Sequence, residues 1–340
     1  MSIIITILAF GVMIFIHELG HFVTAKHFGV LVNEFSMGMG PKLFSIKKGE
    51  TSYSLRLFPI GGFVKLEGET DCEDESDPRS FINLSPIKRI IVLVSGALMN
   101  IILGFIIFVI LNFNTGIMPS VVASVPDDLE QILIKPGDEI VRLNNTAINT
   151  YDDVSLFMSR YNKEELSITI KRNENKIKFD NYKLFKTEFG YKIGVSFAAK
   201  KGTFLENIEY AAYDTVYTTK VVLYALGDLI TAKIPLNSLS GPVEIVSVVG
   251  EATKPQNRND YTFLWILSLI AMISVNLGVF NLLPFPALDG GSIIFALYEL
   301  ITKKKVKNEV IGIITATGFI LLMILAVFVT AGDIIDVIKK

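Results

Sequence analysis

Cysteine is almost missing: Cys72 stands alone in 340 residues. A single thiol excludes an intramolecular disulfide framework and any cysteine-based zinc cluster. It lies in the acidic run Thr70-Asp71-Cys72-Glu73-Asp74-Glu75, where an unreactive surface thiol is expected. Charge is scarce as well, at 19% against the ~25% of a typical soluble domain. With 51% of residues hydrophobic, that shortage argues against a disordered chain and against a wholly soluble one. Neither sign dominates. The 32 Lys and Arg face 34 Asp and Glu, a net charge of −2, so no basic field points to nucleic acid. No internal repeat or low-complexity tract is visible. Histidine is the most informative shortage, because His17, His21 and His27 are the whole supply.

What is abundant is apolar and comes in long runs. A spanning helix needs ~20 apolar residues, since the hydrocarbon core is ~30 Å thick and each residue rises ~1.5 Å. Residues 90–111, 262–283 and 310–330 meet that requirement without a charge. Residues 1–16 are almost wholly apolar and run straight into His17-Glu18-Leu19-Gly20-His21. A signal peptide fits that end badly, because no Lys or Arg precedes Lys26 and no small-residue cleavage site is evident. The segment 22–89 holds Lys26, Lys47, Lys48, Arg56, Lys88 and Arg89 among its cations, and Lys303, Lys304, Lys305 and Lys307 follow the third span. The positive-inside rule assigns both to the cytoplasm, with the termini and the middle region outside. Four spans give that parity.

The middle, roughly 114–261, reads as a soluble insert. Alternation at 138–143 and 166–170 predicts strands, Lys135-Pro136-Gly137-Asp138 a turn, and 151–160 a short helix. Residues 204–230 read as helix, but Glu206, Glu209, Asp214, Lys220 and Asp228 are too many charges for a span. Tyr210, Tyr213, Tyr217 and Tyr224 make one stripe, either a packing face or a helix at the outer membrane surface.

The segment His17–His21 is HExxH. On a helix, positions i and i+4 share a face, so both imidazoles can bind one Zn²⁺. Glu18 lies next to that face, placed to take a proton from a zinc-bound water. Solvated polar residues closing a helix are the bland alternative; ionisable groups at membrane depth favour a site. After sixteen residues of helix, ~24 Å, the site falls near the cytoplasmic face. Zinc needs a third protein ligand. His27 has the spacing of the third histidine in HExxHxxGxxH, but Thr24 replaces the glycine, and a helix continuing through Lys26 turns His27 away. The other choice is a carboxylate, and Asp289 stands out in Asn281-Leu282-Leu283-Pro284-Phe285-Pro286-Ala287-Leu288-Asp289-Gly290-Gly291. Pro284 and Pro286 stop the third span, and Gly290-Gly291 frees the backbone beside the acid. Broken helix at membrane depth is tolerated where it lines a cavity.

An HExxH in the first span with NxxPxPxLDG in the third resembles the site-2 protease family of intramembrane zinc metalloproteases (peptidase M50). Further matches are Gly38-Met39-Gly40-Pro41-Lys42, Pro59-Ile60-Gly61-Gly62-Phe63-Val64-Lys65, Ser95-Gly96 with Asn100, and Leu239-Ser240-Gly241-Pro242-Val243. Within the family the chain is similar to the bacterial RseP/RasP type, with room for one PDZ domain. The resemblance implies Zn²⁺ held by His17, His21 and Asp289, with Glu18 as catalytic base. It implies that Gly61, Gly62, Phe63 and Val64 belong to a membrane-associated β-hairpin that receives unwound substrate by strand addition. Asn281 and Asn100 are implied as polar groups that hold substrate. Two departures stand out: Ala97 replaces the family's usual proline, and residues 132–138 lack the small residues that a peptide-capturing PDZ loop carries.

The expected fold class is a multi-pass α-helical membrane protein of about four spans, with a cytoplasmic membrane-associated β-hairpin and an inserted extracytoplasmic α+β PDZ domain. The parts are an N-terminal membrane half at 1–111, the PDZ domain at 114–186, an amphipathic helical region at 187–261 and a C-terminal membrane half at 262–340. The expected activity is hydrolysis of peptide bonds inside transmembrane segments. Its partners would be the lipid bilayer of a bacterial cell membrane and single-span proteins already shortened by another protease, such as anti-sigma factors or signal-peptide remnants. Nucleic acid is not expected as a partner. Two other readings predict different outcomes: a non-proteolytic PDZ scaffold with a vestigial metal site, and a peptidase using His27 as third ligand.

Overall fold

Each long apolar run forms one helix in a computed structural model, which describes residues 2–69, 77–126, 133–188, 190–235, 241–254 and 261–339. Cys72, and Ile132 of the segment 132–138, fall outside the described residues. In chain order the helices are α1 (Ser2–His27), α2 (Pro86–Thr115), α3 (Tyr151–Arg160), α4 (Phe204–Ile230), α5 (Pro242–Ala252), α6 (Thr262–Asn281), α7 (Asp289–Thr302) and α8 (Asn308–Lys339). The strands are β1 (Val32–Lys48), β2 (Thr51–Leu66), β3 (Val122–Ser124), β4 (Glu139–Leu143), β5 (Thr146–Ala147), β6 (Glu165–Arg172), β7 (Asn175–Lys183), β8 (Phe185–Thr187), β9 (Gly190–Lys192) and β10 (Ser196–Phe197). Among the described residues, four helices are long and apolar enough to cross a membrane, over Ile3–His27, Pro86–Thr115, Thr262–Asn281 and Asn308–Ile335. Leu8, Ile106, Ile324 and Phe328 stand exposed on them. In a membrane protein such faces meet lipid, which is as apolar as they are.

One compact unit comprises Met1–Gly104 and Val222–Lys340. Its core lies where α1 ends, with Ala25, Val30, Val32, Leu66, Phe81 and Val92 buried together. Hairpin β1–β2 curls on itself: residue Phe35 pairs with both Val64 and Tyr53, and Ser36 with both Phe63 and Ser54. Segment 34–37 is therefore interior, and 62–65 is an outer segment partnered on one side. Helix α5 begins at Pro242, a residue suited to the first helical turn. Its free N–H groups are met from α8: Asp333, 5% exposed, accepts from Gly241 at 3.0 Å and from Val243 and Glu244 at 3.1 Å.

The other unit, Phe105–Val221, holds a four-stranded sheet of order β5-β4-β6-β7. Alternate residues Ile140, Leu166, Ile168 and Ile170 fill its core. Thr150 caps α3 by accepting from the Asp153 N–H at 3.3 Å, and Lys220 pairs with Asp153 at 2.8 Å. The tyrosine stripe divides. Tyr210 and Tyr213 are half-buried and meet edge to face at 5.7 Å, whereas Tyr224 is 45% exposed.

Candidate metal centre

The helical spacing does what HExxH requires. His17 and His21 lie one turn apart on α1 with their Nε2 atoms 3.2 Å from each other. Asp289, the first residue of α7, brings Oδ2 to 3.2 Å from His17 Nε2 and 3.4 Å from His21 Nε2. The side chains are 11%, 12% and 19% exposed. Among the described residues, these three form the group of histidines and acids able to hold a metal. Ligands ~2.0–2.1 Å from a tetrahedral zinc stand about 3.3 Å apart, so the spacing fits that ion. Asp289 Oδ2 also finds no aligned hydrogen-bond donor, although both rings lie beside it. A buried carboxylate oxygen in that condition calls for a cation. His27 is elsewhere, exposed at the end of α1 with its ring 5.3 Å from that of Phe28.

Asp289 arrives through a break in the apolar helix. Helix α6 ends at Asn281, before Pro284, because a residue preceding proline avoids the helical region. The chain then turns back, with Ala287 at φ 73°, and α7 begins at Asp289. The expectation for Gly290-Gly291 is corrected here: both are helical, and Ala287 carries the left-handed turn. Gly290 is required for space instead, since a Cβ there would lie 2.6 Å from the Leu282 carbonyl carbon.

Glu18 is half-buried and accepts a hydrogen bond from the Val64 backbone N–H. It shares a cavity of about 460 Å³ with His17, His21, Asp289, Phe63 and Val64. The outer segment of the hairpin thus flanks the metal cluster. Arg56 stiffens this hairpin by donating to Ser36 Oγ at 2.9 Å, to the Gly40 carbonyl at 2.7 Å and to Glu34 at 2.8 Å. Its guanidinium also lies 4.9 Å over the Phe63 ring. Burial pushes the Glu34 carboxyl up, but hydrogen bonds from Lys42 and Arg56 outweigh it and hold the group at about 2.

Gly61 and Gly62 lie on β2, Gly62 with a Cβ position 3.4 Å from Glu18 Cγ. Asn281 is half-buried at the end of α6, and Asn100 is fully buried beside His17; neither is among the residues lining the cavity. Sequence reasoning gave no role to Gly96 or to the Val92 carbonyl. A Cβ on Gly96 would stand 2.6 Å from His21 Cε1 and 2.9 Å from His17 Cε1. His21 Nδ1 lies 2.9 Å from the Val92 carbonyl, a contact that fixes the proton on Nδ1 and frees Nε2 for a metal. The pairing of Ser95-Gly96 in the motif was the available signal; its meaning depends on how α2 crosses α1.

A family model described as Peptidase family M50 matches residues 5–325. The chain is 41% identical over 338 residues to a protein of Clostridium acetobutylicum named as a zinc metalloprotease, covering 98% of this chain and 97% of that one. A similarly named protein of Clostridium perfringens is 40% identical over 340 residues, with 98% and 99% covered. The regulator of sigma-W protease RasP of Bacillus subtilis is 28% identical over 419 residues, with 98% of each chain covered.

Proposed function

The chain belongs to peptidase family M50 and is a zinc metalloprotease embedded in a membrane, and from that premise we propose an endopeptidase that cuts inside transmembrane segments. The observation that carries this reading is the triangle of His17, His21 and Asp289 at tetrahedral spacing, with both histidines on a helix long and apolar enough to cross a membrane. We assign these three as zinc ligands and Glu18 as the general base.

Bound zinc supplies a Lewis acid that acidifies water and polarises the scissile carbonyl. The chain's own residues supply the rest. Glu18 takes a proton from the attacking water, whose oxygen bonds to the carbonyl carbon. The C–N bond then breaks, and Glu18 returns the proton to the departing amine. Before that, the substrate helix must be extended, because its scissile bonds are enclosed in its own hydrogen-bond ladder. Residues 61–64 would receive the extended segment by strand addition beside the cavity that Phe63 and Val64 line, with Asn281 a polar contact.

The insert centred on β4, β6, β7 and α3 is assigned as a PDZ domain outside the cell membrane, excluding proteins with bulky ectodomains. The substrates are then single-span proteins already trimmed by another protease. The similarity to a regulator of sigma-W protease makes a membrane-bound anti-sigma factor a reasonable example. The test uses full-length protein in detergent with a helical reporter. Glu18→Gln should leave about one zinc per chain and lower the cleavage rate by about 10²–10⁴-fold. Cleavage at the wild-type rate by a normally inserted Glu18→Gln or Asp289→Asn protein would overturn the assignment.

A further inference from the structure

Asn100 is 0% exposed beside His17, and its carboxamide nitrogen lies 3.5 Å from His17 Nδ1. Its carboxamide oxygen has no hydrogen-bond partner. The backbone around it is fixed. Ser274 of α6 donates its hydroxyl to the Asn100 carbonyl at 2.8 Å, and Ser274 is itself 0% exposed. Gly278 of α6 comes so close to α2 that a Cβ would stand 2.7 Å from the Ala97 carbonyl oxygen. Small residues of this kind let two helices approach closely and lock together. What remains free at Asn100 is rotation of the carboxamide.

That rotation matters to His17. A neutral imidazole that offers the Nε2 lone pair to a metal carries its proton on Nδ1, and the proton needs an acceptor. For His21 the acceptor is the Val92 carbonyl. Asn100 is the group placed to do the same for His17. A half-turn exchanges carboxamide oxygen and nitrogen at almost no change in shape. The oxygen would then accept from Nδ1–H, and the ring would present Nε2 to zinc.

We propose that Asn100 is a positioning residue for His17, holding it in the metal-binding tautomer, and does not contact substrate. The inference rests on the zinc reading above. It replaces the substrate-holding role that the family resemblance implies for this residue.

The experiment measures zinc retention by full-length protein in detergent against a graded series of chelator, and separately KM and kcat on a helical reporter. Asn100→Leu keeps the number of side-chain heavy atoms and removes the acceptor; it should release zinc at about 10- to 100-fold lower chelator strength. Asn100→Asp keeps an acceptor in the same shape and should hold zinc within a few-fold of wild type. Ser274→Ala removes the neighbouring helix–helix bond and should also hold zinc. Wild-type zinc retention by Asn100→Leu, with or without a raised KM, would overturn the proposal. So would loss of zinc from all three variants, because packing would then explain it. If the wild-type chain itself held no zinc, the metal reading would fail instead, so the two failures are distinguishable.

Discussion

Gly96 shows how much of the site depends on an atom that is missing. With the Cβ position 2.6 Å from one imidazole and 2.9 Å from the other, Gly96→Ala forces the rings apart. The α2 backbone itself accommodates alanine readily, since alanine is the best helix former. The expected outcome is a protein with unchanged thermal unfolding that loses zinc to a chelator at least tenfold more readily. Equal zinc retention by Gly96→Ala and wild type would show that the rings have room to move. This residue was legible only as part of a motif. His17, Glu18 and His21 could be read directly, because their geometry is local and set by the helical repeat. Asp289 could be found because proline and glycine mark the break that delivers it. Gly96, Val92 and Asn100 act from another helix, and no spacing along one segment encodes how two helices cross.

At the scale of elements, two acids illustrate how polar groups stabilise parts of a largely apolar molecule. Glu34 ties the curled hairpin through Lys42 at 2.9 Å and Arg56 at 2.8 Å. Its pKa falls from the ordinary 4.5 to about 2, so folding favours the charged form. The resulting stabilisation is fully present above about pH 4.5 and is lost as pH falls towards 2. Hydrogen exchange at hairpin amides should accelerate, relative to the intrinsic rate, across that window in wild type. Glu34→Gln should remove this dependence, and a dependence that persists in the variant would assign it to another group. Asp333 serves α5 in a different way, satisfying three N–H groups that no residue within α5 can reach. Asp333→Ala should cost about 0.5–2 kcal/mol, a typical capping loss, and expose residues 241–254 to protease first. Cleavage elsewhere at the same rate would mean that α5 is held by packing alone. In the sequence Asp333 lies just past the apolar run 310–330, and no local pattern marks it. The partner lies across the fold, so its purpose was hidden, whereas α3 and α4 were legible because amphipathic spacing and charge lie within each segment.

For the whole molecule, if the four helices of spanning character among the described residues all cross, both termini lie on one side of the membrane. Charge then chooses the side. Lys303, Lys304, Lys305 and Lys307 follow α7, and the hairpin segment carries Lys47, Lys48, Lys88 and Arg89; its acids weigh little in this choice. Retaining cations on the cytoplasmic side is the dominant orienting effect for short loops. On the proposed orientation the hairpin would lie inside the cell and the insert outside. Cysteine labelling tests this directly, because replacing Cys72 with serine leaves a background without thiols. Lys178 and Lys47 are both exposed, so neither site is shielded by the fold. In intact cells, Lys178→Cys should react with a membrane-impermeant maleimide, and Lys47→Cys only after permeabilisation. The opposite pattern would reverse the orientation and remove the insert's role as an external filter. Labelling of both sites in intact cells would mean that the spans do not alternate as the helices require. Because zinc chemistry at the proposed ligands His17, His21 and Asp289 would be indifferent to orientation, an inverted chain would still be a peptidase, but one receiving its substrates from the other face.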